Sequence, residues 1–150
     1  MALALETVTN SIAALVVTGV KMCDIDEIPS PADMDRTPHF YPEPGGFINS
    51  LTVTRDSFGA PSCADKHVTY TLRYVFAYQP SGSERALKDQ YPLMVGLALD
   101  ILDALIANDD ITGAIDMTPS GAGGFGLVMA PDGRYFCGCI INVTVMEFIN

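Results

Sequence analysis

Charge is scarce in this chain, and positive charge is scarcest. Asp, Glu, Lys and Arg make up 17% of the residues, where about 25% is usual for a soluble domain. Eight residues are basic and 18 acidic, for a formal net charge of −10. The eight are scattered and form no stripe. Tight duplex binding needs many Lys or Arg contacts to phosphate, so this balance repels a polyanion. Long apolar runs are also missing from the N-terminal region. Its longest, 12–17, falls far short of the roughly 20 residues of a membrane span. No Lys or Arg precedes that run and Glu6 stands before it, so a secretory n-region is absent. The expectation is a protein made and folded in a cytoplasm, without a membrane.

The residues that carry chemistry are few. Cys23, Cys63, Cys137 and Cys139 lack the spacing of a disulfide scaffold. Cys137 and Cys139 lie two apart on a predicted strand and so share a face. No second pair and no His-x-His completes a four-ligand metal set, which leaves buried free thiols as the expectation. His39 and His67 stand alone in loop-like contexts. Ser120, in Pro-Ser-Gly-Ala-Gly, lacks the first glycine of a nucleophile elbow. The segment Gly121-Ala122-Gly123-Gly124-Phe125-Gly126 follows a predicted helix and opens a strand, the reverse of a dinucleotide fingerprint. The acid pairs Asp24/Asp26, Asp33/Asp35 and Asp109/Asp110 read as solvated surface. Neither an enzyme nor a cofactor is expected.

Apolar residues, at 49% of 150, are what the chain has in quantity. This length fits one domain, 1–150, able to bury roughly 70% of its unfolded surface. Two sources account for so apolar a composition, a thick core or surface covered by partners. Leu5, Val8, Ile12, Leu15 and Val16 recur at helical spacing and predict a helix over 3–19. The stretch 24–46 carries Pro29, Pro31, Pro38, Pro42 and Pro44, too many for helix or central strand. It reads as an extended arm, acidic first and aromatic after (Phe40, Tyr41), fixed to a neighbour or to its own domain. Strands are predicted over 47–55 and, most clearly, 68–78, where Val68, Tyr70, Leu72, Tyr74, Phe76 and Tyr78 fall on one face. The segment 79–90 is a predicted loop. A helix runs from Pro92, placed at the first turn, to about Ala107. The glycine-rich 113–126 follows, then a hairpin of 125–130 and 134–148 about Pro131-Asp132-Gly133. The expected fold class is α+β: a four-stranded, mostly antiparallel sheet with helices packed on one face.

The order of these elements resembles the tail terminator (tail completion) proteins of long-tailed bacteriophages over nearly the full length. The resemblance is carried by the helical start, the arm Ile28-Pro29-Ser30-Pro31, the strand 69–78, the helix 93–107 and the closing pair 124–128 and 135–147. It implies a tail-terminator-like fold and a structural virion protein of the tail–neck region, assembled in the bacterial host cytoplasm. Such proteins form a ring of six that caps the tail tube, stops its polymerisation and joins the head-side connector or stopper protein. DNA then passes through without specific binding.

Under that resemblance Phe40, Tyr41, Phe47, Arg85 and Tyr91 are candidates for the interface with a subunit or partner. Asp109, Asp110 and Asp116 are candidates for the channel wall. Two other readings stay open. One is a different neck protein, a stopper or head-completion protein. The other is a small-ligand-binding or enzymatic α+β domain with its groove near 121–126.

Overall fold

The computed structural model describes residues 3–30, 38–55, 66–80, 87–112, 115–130 and 133–149. Among them the chain runs α1 (Leu5–Ala13), β1 (Lys21–Met22), β2 (His39–Pro42), β3 (Ile48–Arg55), β4 (Lys66–Pro80), α2 (Leu87–Ala107), β5 (Asp110–Thr112), β6 (Ile115–Met129) and β7 (Tyr135–Ile149). The protein is mostly β, with one curled, mixed sheet. This corrects the four-stranded α+β expectation. The sheet has seven strands in the order β1-β2-β4-β7-β6-β5, and β3 also pairs with β4.

The extra strands come from segments whose composition hid them. Part of the proline-rich arm becomes β2, which registers His39–Pro42 against Tyr74–Ala77 of β4. β3 takes the lower half of the same β4 edge, with Leu51 opposite Tyr70 and Val53 opposite Val68. β2 and β3 are thus laid end to end on one strand. Between them Arg73 receives the step: its N–H donates to the Phe47 carbonyl, and its carbonyl accepts from the Glu43 N–H. Its Nε also lies 2.6 Å from Glu43 Oε2. β1 adds in parallel on the outer side of β2.

The sequence predicts no strand before 125 in the glycine-rich 113–126, yet its described part, 115–126, is the greater part of β6. Gly121 and Gly124 have φ of 109° and 67°, values that L side chains rarely adopt. The register against β7 breaks at Pro119/Gly121 and again at Gly123/Gly126. These bulges spoil the period-two pattern while keeping the strand.

Both helices depart from their predicted limits. α1 ends at Ala13, because Val17 bridges back to Val20 about Gly19 at φ 85°. α2 begins before Pro92, which lies inside it. Pro92 is on the exposed side, where one lost backbone bond is the main consequence.

The principal core lies on one face of the sheet. Val68, Tyr70, Leu72, Tyr74 and Phe76 of β4 and Cys139, Ile141, Val143 and Val145 of β7 meet Val8 and Ile12 of α1 and Met94, Ala98, Ile101 and Leu105 of α2. Phe40 joins them, stacked on Tyr74 at 4.6 Å between ring centroids. A second cluster on the opposite face gathers Cys23, Tyr41, Val75, Ala77, Val128, Ala130 and Phe136.

Candidate functional site

The aromatic residues assigned to an interface are placed by β2 and β4. Phe40 and Tyr41 are fully buried, one in each core of their own chain. Neither ring has a face left for a neighbour, so this part of the arm packs on its own chain, which corrects the place of Phe40 and Tyr41 among the interface candidates; 31–37 of the arm lie outside the described residues. Phe47 is half-buried, edge-on to Tyr74 at 5.4 Å. Tyr91 is half-buried against the main core. Arg85 lies outside the described residues.

The three acids come together. Asp110 of β5 is the register partner of Asp116 of β6, and the Asp109 carbonyl accepts from the Met117 N–H. All three residues are exposed. They form a negative corner at the β5 edge of the sheet, next to the C-terminal end of α2.

Sequence reasoning missed a buried carboxylate. Glu147 continues the inward row of Val143 and Val145, and it is 3% exposed. Its Oε2 accepts from the Tyr70 hydroxyl at 2.6 Å, and its Oε1 accepts from the Ala4 N–H at 2.8 Å. Ala4 is the N-cap of α1 and brings no side-chain cap of its own. The carboxylate therefore ties the start of α1 to the centre of the sheet. Burial, with the Glu147 hydrogen bond and charge behind it, pushes the Tyr70 phenol far above its usual range. Burial does the same to Tyr74, helped by the charge of Asp24. An acid at an inward position was the signal that could have revealed this staple.

Chemistry beyond the staple is sparse. Cys23, Cys137 and Cys139 are buried and none is in a disulfide, and burial raises the Cys137 thiol and lifts that of Cys139 to about 12. No group of three His, Cys, Asp or Glu is arranged to hold a metal among the described residues. His39 is buried in β2, and His67 sits edge-on to Phe148 at 4.4 Å. Ser120 Oγ lies 2.8 Å from Thr144 Oγ1 on the exposed face. The glycines 121–126 lie within β6, with no helix N-terminus following them.

The thiol shifts make a pH prediction. Cys139 has an ordinary value of 9.0 and a folded value of about 12. Between those limits the unfolded chain loses a proton that the native chain keeps, so stability falls as pH rises, and below pH 9 nothing is lost. The slope is about 1.4 kcal/mol per pH unit for each such group. The raised phenols of Tyr70 and Tyr74 add to it above their ordinary 10.0. Urea midpoints between pH 8 and 11 check this, and Cys139→Ala should flatten the slope by one proton.

Uncovered apolar area lies at several places among the described residues, including Leu127, Met129 and Tyr135 of the β6–β7 hairpin; the β3 edge and α2 are two of them. α2 packs on β6, and the β3 end of the sheet keeps apolar side chains uncovered. There Leu51 and Val53 stand 52% and 50% exposed beside the buried Tyr70 and Val68. The second place is α2 itself. Its buried stripe is Met94, Ala98, Ile101 and Leu105. One residue on, at the same spacing, run Val95, Leu99, Leu102 and Ile106, about 100° round the helix. Val95 and Leu102 are half-buried, and Leu99 and Ile106 are 54% and 58% exposed. By length and composition 89–107 could cross a membrane, but one whole stripe of it is sunk in the sheet.

Comparison with known proteins adds no relative: no protein-family model and no curated protein sequence matches the chain.

Proposed function

We propose that the chain is a structural assembly subunit, a tail terminator that closes into a ring with its own copies, caps a tail tube and receives the head-side connector. The observation that carries this reading is a pair of unlike apolar surfaces, β3 and the outer stripe of α2, with β4 and β7 lying between β3 and the β6 strand on which α2 packs. A two-fold dimer uses one patch twice. A head-to-tail ring uses two different patches once each. The order of helices and strands quoted for the family resemblance supports the finer assignment, and the acidic balance of 18 to 8 disfavours adhesion of DNA in transit.

The test is assembly. Purified chain should form a closed oligomer, alone or on tail tubes, as read by mass photometry and electron microscopy. Leu99→Glu should leave it folded by circular dichroism and monomeric, because that residue is exposed on the subunit. Particles made without the protein should carry tails of unregulated length. Finished free tails of normal length beside tailless filled heads would instead favour a stopper or head-completion protein.

A further inference from the structure

The two apolar surfaces also differ in charge. On the β3 side, Lys66 stands at the end of the β3–β4 pair. Lys66 follows the same alternation as Val68 and Tyr70, which places it on the face where Leu51 and Val53 stand bare. That patch is apolar with a basic margin. On α2, Asp103 lies four residues after Leu99 and three before Ile106, which puts it at the flank of the exposed stripe. It is exposed, as are Asp100 on the same helix and Asp109, Asp110 and Asp116 just beyond its end. That patch is apolar with an acidic margin.

Apolar area and opposite charge match across the two sites, and each site is like-charged against itself. Self-association of β3 with β3 would set Lys66 beside its own copy, and the same holds for Asp103 on α2. Pairing of unlike sites removes that repulsion. We infer that the occupant of the β3 surface is the α2 outer stripe of a second copy of this chain, with Lys66 of one copy facing the Asp103 side of the next. This rests on the ring reading above and names the surfaces that meet in it. It also sets the acids Asp109, Asp110 and Asp116, candidates for the channel wall, near the subunit boundary.

The geometry explains why α2 is apolar over more of its circumference than its own sheet covers. A helix lying on one sheet needs one stripe, and the second stripe becomes the floor for the neighbour's β3. It also explains why β3 presents Leu51 and Val53 on the helix-bearing face beyond the reach of its own helices.

A charge swap tests the pairing in the full chain. Lys66→Glu and Asp103→Lys should each weaken self-association roughly tenfold, measured by sedimentation at several concentrations, because each sets like charges across the interface. The two substitutions combined in one chain should restore association to within about threefold of the unaltered protein. Circular dichroism confirms that each variant folds, and Leu51→Glu, exposed on the subunit, is the apolar counterpart and should also dissociate the oligomer. Singles with no effect, or a double variant weaker than either single, would overturn the pairing. If the unaltered chain assembles and the swap does nothing, the surface assignment fails while the ring stands. If the unaltered chain stays monomeric at every concentration and beside tail tubes, both fail together.

Discussion

Gly138→Ala is expected to destabilise the protein by more than about 3 kcal/mol, the largest loss from any single methyl group in the sheet. A Cβ on Gly138 would land on the backbone carbonyl of Phe76 and press on the Val128 side chain. A side chain could swing away from such a contact, but a carbonyl fixed in a central strand cannot. The close approach arises where β4 shifts register between Ala77 and Gln79, opposite β7. Gly123 is the control. An added Cβ there meets nothing within 4 Å, so Gly123→Ala should change stability by less than about 1 kcal/mol. Urea midpoints of the two variants decide it. Equal midpoints would mean that β7 does not pass so near β4.

The second large effect belongs to Glu147. Glu147→Ala removes the acceptor from two groups at once, the Tyr70 hydroxyl and the Ala4 N–H. Hydrogen bonds to a charged partner contribute about 1.5–3 kcal/mol each, and a buried donor left alone loses its solvation as well. The expected cost is about 3–5 kcal/mol. Tyr70→Phe removes one of the two bonds and should cost about half as much. In the double variant the losses should fall short of additive by about 1–3 kcal/mol, the coupling of residues in contact. Additive losses in thermal unfolding would show that the staple is not there. Hydrogen exchange should also rise selectively in α1 of Glu147→Ala, because its first turn loses its tie.

The sequence displayed β4 because its alternation is unbroken from Val68 to Phe76, and α2 because its stripe repeats over several turns. The closing hairpin announced itself through Pro131-Asp132-Gly133. β6 stayed hidden for a physical reason. Gly121, Gly124 and Gly126 shift its register, and a shifted strand no longer alternates in sequence. β1, with two residues, is too short for any period. For Phe40 and Tyr41 the difficulty was of another kind. Aromatic residues beside prolines look the same whether they pack on their own sheet or a neighbour's. Only the pairing of His39–Pro42 with a strand more than thirty residues later settles it. Cys137 and Cys139 are the pair that invites metal chemistry, and Gly138 between them, which leaves space for the Phe76 carbonyl, gives no signal in the sequence. The charged margins of β3 and α2 are legible only in space, since Lys66 and Asp103 belong to separate elements.

β7 pairs along its length with β4 on one side and β6 on the other, and it follows every other strand in the chain. During synthesis β4 therefore waits through the whole of α2, β5 and β6 before its inner neighbour emerges. Until then Tyr70 has no carboxylate, α1 has no anchor and the main core has no middle. Such delayed, long-range closure makes for slow folding. The nascent chain thus spends the interval between Pro80 and Tyr135 as half a sheet with an open apolar face, a stage at which a chaperone would matter to its yield.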